Sequence, residues 1–160
     1  MRYPLANKLP QRLLKPQVKP WGFTLLELLV VIAIIGVIAA VGVPAYSGYV
    51  DGAKDREAQA SVRTISSAQE TFKLVSGSYF STSSGSDCSP DANTSSSINT
   101  GLFKANALKF DNYHYCVAAD NAAIPPTFLV KAVSVSNAAK TFTINHLGTT
   151  AASGWTATTF

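Results

Sequence analysis

The sequence predicts an α+β protein in which one long N-terminal helix packs on a small antiparallel β-sheet. Three observations support this. Residues 23–43 form an apolar run, residues 51–75 show an amphipathic helical pattern, and the C-terminal third contains segments rich in β-branched and aromatic residues. A chain of 160 residues is long enough for one modest domain and an anchor.

Residues 1–22 are predicted to be a targeting or processing leader and not part of the fold. Before Trp21 the chain has five of its 13 basic residues, four prolines and no acidic residue. From Phe23 onward eight basic residues face nine acidic ones. The net charge of the body therefore gives no support to nucleic-acid binding, which stays open only as a local patch.

The apolar run of residues 23–43 is interrupted only by Thr24, Glu27 and two glycines. About 20 such residues suffice to span a bilayer as a helix. The basic leader before the run predicts a cytoplasmic N-terminus and an extracytoplasmic C-terminal part. We therefore expect residues 23–50 to form the membrane-embedded half of the helix.

Residues 51–75 are predicted to be the amphipathic half of the same helix. Apolar residues and one glutamine recur at spacings of three and four on a single stripe: Ala58, Val62, Ile65, Gln69 and Phe72. Helix-weakening residues lie where the two halves join, so we expect a kink or weak zone near Pro44. They are Gly42, Pro44, Gly48 and Gly52.

The remaining chain divides into a loop and a sheet. Residues 76–112 begin with a stretch rich in Ser, Thr, Gly and Asn, which predicts a long variable loop. Residues 113–160 are expected to hold the sheet, with strands at 113–119, 127–135 and 141–145 and a hairpin turn at 136–140. A fourth strand is expected from either 108–110 or 155–159.

The segment GFTLLELLVVIAIIGVIAAVGVPAY, Gly22 to Tyr46, resembles the N-terminal signature of type IV pilins and type II secretion pseudopilins. A basic leader ends at Gly22, Phe23 and Thr24 follow, and Glu27 is the fourth residue after Phe23. Gly36, Pro44 and Tyr46 also stand where that family has a Gly, a Pro and often an aromatic residue. The close match covers about 25 residues, and the rest resembles the family in layout only.

The resemblance implies a processing and assembly route. A prepilin peptidase would cut between Gly22 and Phe23 and N-methylate Phe23. An inner-membrane assembly platform would then extract the single-pass subunit from the membrane lipid. The helices would pack as a homo-polymer, or as a co-polymer with other pilins, in an extracellular pilus. The resemblance also implies a helix that melts between Gly36 and Pro44, a stretch that includes Gly42.

Glu27 is the charge that needs an explanation in this apolar run. A carboxylate in hydrocarbon costs about 2.5 to 3.5 kcal/mol on insertion scales. Cleavage would create an ammonium on Phe23, which could pair with Glu27 of its own chain or of the neighbouring subunit. The resemblance favours the neighbour and makes Glu27, with Thr24, the docking site. The alternative is a charge at the membrane edge, softened by snorkelling. Pro44 likewise either ends the span or lets the helix unravel.

Cys88 and Cys116 are expected to form a disulfide between the loop and the first strand, with free thiols as the alternative. Pilins commonly use a disulfide to bound a C-terminal receptor-binding loop. Here 44 residues follow Cys116, so that role is not carried over. His114 and His146 with the cysteines lack zinc-site spacing, and no acidic residue follows Asp120 to form a calcium loop. We therefore expect no metal and no cofactor.

The predicted function is that of a structural subunit. The first hypothesis is a major or minor pilin of a type IV pilus that serves adhesion, motility or DNA uptake, and the second is a type II secretion pseudopilin. A third, of another class, is a secreted or membrane-anchored periplasmic binding domain, for which Val43 to Ala45 offers a signal cleavage site. An enzyme is not expected, because no catalytic motif is found.

Overall fold

The computed structural model describes residues 22–154. The N-terminal helix predicted for residues 23–75 is confirmed, as helix α1, and it continues without a break through Pro44. In chain order the elements are α1 (Leu25–Ser76), β1 (Ser83–Ser84), α2 (Ala92–Ser97), a π-helical turn (Ile98–Phe103), β2 (Tyr113–Asp120), β3 (Thr127–Ser134), β4 (Thr141–Asn145) and β5 (Thr150–Ser153).

Within the described residues the chain divides into two units, the first ending at Pro44 and the second beginning at Ala45. In the second unit, the amphipathic part of α1 packs on the sheet. Ala58, Val62, Ile65 and Gln69 of the predicted stripe are buried. Because they recur every three or four residues, they lie on one face of the helix. Ala58, Val62 and Ile65 share one apolar core with the sheet.

The sheet has five strands in the order β1-β2-β3-β4-β5. The strands β2 to β5 pair antiparallel, as predicted, whereas β1 runs parallel to β2. The three predicted strands and the hairpin between β3 and β4 are confirmed. In β3 the residues alternate between buried and half-buried, which is the pattern of a strand whose more buried face meets the core.

The two faces of β2 contact different clusters. Tyr113, Tyr115 and Val117 face the core shared with α1. Cys116 and Ala118 alternate with them and lie in a second cluster on the opposite face, together with Cys88. The aromatic residues of β2 therefore pack the sheet against the helix, and the disulfide lies on the other side of the sheet.

The segment predicted as a long loop, residues 76–112, contains three short regular elements, and this is a correction. It contains β1, α2 and the π-helical turn. Its hydroxyl groups hydrogen-bond the outer edge of β2: Ser95 Oγ accepts from Tyr115 N (2.8 Å), and Thr94 Oγ1 donates to Tyr115 O (2.8 Å). Thr82 Oγ1 accepts from Val117 N at 2.9 Å and donates to Val117 O at 3.0 Å. These side chains satisfy backbone groups that a neighbouring strand would otherwise satisfy.

Side-chain amides stabilise the irregular segments in the same way. The buried Gln69 accepts from Phe80 N at 2.9 Å and donates to Phe80 O at 3.1 Å. In two further cases, one side-chain amide hydrogen-bonds both the N–H and the C=O of a single residue. These pairs are Asn121 with Tyr79 and Asn99 with Leu108. Irregular backbone can be buried here because these amides meet its hydrogen-bonding needs.

The fourth-strand prediction is wrong at residues 108–110, which form no strand. The strand that pairs with β4 is instead β5, after a tight turn in which Asn145 Oδ1 accepts from Leu147 N and Thr149 N. Gly148 in this turn has φ +77°, a conformation that glycine adopts without strain. The alternative at residues 155–159 lies outside the described residues.

Candidate functional site

Thr24 caps the N-terminal end of α1. The helix begins at Leu25, and Thr24 Oγ1 accepts a hydrogen bond from Glu27 N at 3.1 Å. The Thr24 carbonyl accepts from Leu28 N at 3.2 Å. Thr24 is therefore the N-cap and Glu27 the third helical residue, the spacing of a capping-box motif.

Glu27 thus has a local role that our sequence analysis missed. It lies in the first turn of α1, where the free N–H groups and the helix dipole favour a negative charge. The Thr-x-x-Glu spacing could have revealed this from the sequence alone. The first turn places Glu27 three residues from Thr24 and four from Phe23, so the proposed docking residues lie close together along the chain.

The surface around this first turn is apolar and open. Gly22 and Phe23 precede the helix, and the side chain of Phe23 is 81% exposed. Along residues 24–49 every residue is exposed, including the large apolar side chains of the predicted anchor. Such a continuous apolar surface is unfavourable in water, and it suits a bilayer or neighbouring helices.

In the described part of the chain, α1 is the helix that is long and apolar enough to cross a membrane. By length and composition it meets the requirement of about 20 apolar residues. The predicted hinge residues Gly36, Gly42 and Pro44 all lie inside it. A Cβ atom at Gly36 or Gly42 would meet no atom within 4 Å. Crowding within the chain therefore gives no reason for glycine at either position.

The predicted Cys88–Cys116 disulfide is present. Its partners are 28 residues apart in sequence, and both cysteines are buried. It belongs to the sheet and not to the N-terminal site. His114 lies in β2 and His146 in the turn after β4. Within residues 22–154 no group of three or more His, Cys, Asp or Glu side chains could hold a metal ion.

In the second unit, Asp55 forms both a hydrogen bond and an ion pair with residues distant in sequence, and nothing in the sequence pointed to it. Tyr113 Oη donates to Asp55 Oδ1 at 2.6 Å, and Lys140 Nζ lies 3.1 Å from Asp55 Oδ2. Burial, followed by the hydrogen bond to the Asp55 carboxylate, raises the pKa of Tyr113 well above its ordinary value. Tyr113 therefore remains a donor throughout the neutral range.

Two further pKa shifts, both of carboxyl groups, lie in the segment before β2. The backbone N–H of Cys88, followed by Lys131, lowers the pKa of Asp87. The backbone N–H of Thr94 lowers the pKa of Asp91, the residue that caps α2. Both carboxylates are exposed and stabilise local turns, so neither marks a catalytic site.

Comparison with known proteins connects this geometry to a family. Residues 22–43 match the model of the prokaryotic N-terminal methylation motif. The match covers Gly22, Phe23, Thr24 and Glu27, and it ends just before Pro44. These findings support the type IV pilin and pseudopilin family.

The curated relatives include both pilins and pseudopilins. A fimbrial protein of Neisseria meningitidis is 38% identical over 88 residues, which are 55% of this chain and 49% of that protein. A fimbrial protein of Pseudomonas aeruginosa is 33% identical over 92 residues, 57% and 60% of the two chains. Type II secretion system core protein G of Pseudomonas aeruginosa is 39% identical over 64 residues, 40% and 45% of the two chains.

The chain spans about half the length of the curated relatives it matches. No solved structure matches it. A pilin-like fold is nevertheless present, because a long N-terminal helix packs on a mostly antiparallel sheet. The fimbrial relatives point to a structural subunit and not an enzyme.

Proposed function

We propose that this protein is a structural subunit of a type IV pilus that polymerises through its N-terminal helix. The observation that carries the proposal is the methylation motif on an exposed apolar helix surface, with Glu27 in the first turn. A helix of this kind spans the inner membrane before assembly. In the filament, the same apolar surface packs against the helices of other subunits.

Processing creates the positive charge that pairs with Glu27. Prepilin peptidase cuts between Gly22 and Phe23, and the new ammonium of Phe23 lies directly before the N-cap Thr24. The ammonium of one subunit pairs with Glu27 of the next. At 4 Å and an effective dielectric constant of 20, such a pair gains about 4 kcal/mol, so the attraction depends strongly on helix register.

Membrane topology and partners follow from the same arrangement. The subunit inserts once, with its N-terminus in the cytoplasm and residues 51–154 outside. An inner-membrane assembly platform then extracts it, and Gly36, Gly42 and Pro44 allow the helix to unwind locally as it packs. The filament is a homo-polymer or a co-polymer with other pilins, and it extends outside the cell.

A pseudopilin of type II secretion is the second candidate, favoured by the match to core protein G. The Cys88–Cys116 disulfide and the lack of acidic residues after Asp120 favour the pilus. Comparing wild type with a deletion strain for twitching, attachment, DNA uptake and enzyme secretion separates these roles. Loss of enzyme secretion alone would make the second candidate correct.

The test of the docking charge is Glu27→Gln. Glutamine also suits the third position of a capping box, so this substitution removes the charge while retaining the helix start. We expect the filament yield in sheared surface material to fall on the order of 10-fold or more, because the ammonium of Phe23 loses its partner. The amount of subunit in the membrane should remain at the wild-type level.

Glu57→Gln is the matched control, since Glu57 is an exposed glutamate of the same helix outside the apolar surface. It should leave the filament yield unchanged. Thr24→Ser, which retains the capping oxygen, should also assemble. Wild-type filament yield from Glu27→Gln would show that the carboxylate charge has no role in docking.

A further inference from the structure

The part of α1 that enters the second unit begins with weak helix formers. Pro44 removes one backbone hydrogen bond, and Gly48 and Gly52 are among the weakest helix formers in a helix interior. None of residues 45–57 is fully buried, and full burial begins at Ala58. This stretch therefore has little packing to offset its weak helix propensity.

Asp55 is the point in this stretch where the helix is tied to the sheet. Its carboxylate accepts a hydrogen bond from Tyr113 in β2 and forms an ion pair with Lys140, which directly precedes β4. The side chains of Asp55 and Lys140 are only 16% and 24% exposed. Because these partners are 58 and 85 residues away in sequence, unwinding the helix at Asp55 breaks two long-range contacts at once.

The neighbouring ion pair of Asp51 and Lys54 differs in kind. It also has a 3.1 Å contact, but its side chains are 63% and 40% exposed, and both belong to α1. Exposed pairs of this type contribute little to stability, because water screens them, whereas a pair that is more shielded from water is costlier to break. Of the two pairs, only that of Asp55 connects the helix to another element.

We propose that Asp55, with Tyr113 and Lys140, is a helix lock that sets the C-terminal limit of local unwinding in α1. Residues N-terminal to Asp55 open readily, because glycine and proline weaken the helix there. Residues from Ala58 onward are retained by the core. This role is a property of the folded chain and does not depend on filament assembly.

Hydrogen exchange of the full chain in detergent micelles, followed by mass spectrometry, tests the lock. In the wild type we expect protection to rise sharply at Asp55. In Asp55→Asn and Lys140→Met, amides of residues 55–61 should exchange on the order of 10-fold faster or more, because local opening no longer breaks this half-buried pair. Lys54→Met, which removes only the exposed pair, should leave the boundary in place.

Peptides from β3 and β4 report whether the fold survives. Their protection must remain at the wild-type level while residues 55–61 lose theirs. Tyr113→Phe provides a milder variant, since it removes one hydroxyl and keeps the buried ring. Unchanged exchange at 55–61 in all three variants would overturn the proposal. An equal loss of protection over α1, β3 and β4 in all three would also overturn it, because the network would then support global stability and no local boundary.

Discussion

At the scale of single residues, several short polar side chains have structural roles that the composition of their segment does not predict. The serines and threonines of residues 76–112 were predicted to lie in a long variable loop. Instead Ser95, Thr94 and Thr82 hydrogen-bond the edge of β2. These contacts could not be predicted from the sequence, because the hydroxyl and the backbone group that it contacts are 20 to 35 residues apart in sequence.

Gln69 gives a prediction at this scale. Its amide is buried and satisfies both backbone groups of Phe80. Gln69→Leu should lower the free energy of unfolding by about 2 to 4 kcal/mol, because the half-buried N–H and C=O of Phe80 lose their partners. Urea unfolding followed by circular dichroism measures the change. Gln59→Leu, on the half-buried flank of the same helix, should change stability by less than about 1 kcal/mol.

At the scale of elements, patterns that repeat were predictable, whereas the turn before β5 was not. The stripe from Ala58 to Gln69 and the three central strands were found because burial imposes a regular period. The strand β5 was missed, since its sequence of Thr150 to Ser153 is short and largely small residues. A turn held by the Asn145 side chain places it, and turn chemistry of this kind is a weaker signal.

The disulfide gives a prediction at the scale of elements. It joins the segment between β1 and α2 to the face of β2 opposite the helix. Replacing both Cys88 and Cys116 by serine should lower the free energy of unfolding by about 3 to 4 kcal/mol, because the unfolded chain regains the entropy of a loop of about 29 residues. Chemical unfolding of wild type and variant under oxidising conditions measures this difference.

A matched control separates the bond from the side chains. Wild type unfolded with a reductant present should lose a similar amount of stability, whereas the double serine variant should be insensitive to reductant. Equal stability of oxidised wild type and the double variant would show that the helix and sheet alone stabilise this segment.

At the scale of the whole molecule, the N-terminal motif determines the functional interpretation. Glu27 was recognised from sequence as a charge that needs a partner, and its place in the first turn of α1 puts that negative charge at the positive end of the helix dipole. The lock at Asp55 could not be predicted, because its partners lie 58 and 85 residues away. Local spacing therefore revealed the helix that we propose to mediate assembly, and only the fold revealed how that helix is tied to the sheet.

The most direct test of the central claim is the N-terminus of the mature protein, measured by intact mass and peptide sequencing of membrane and sheared surface fractions. The proposed processing predicts a chain that begins with N-methylated Phe23 in both fractions. A chain that begins at Tyr46, after loss of the apolar run, would contradict it and leave a secreted domain that cannot polymerise through this helix.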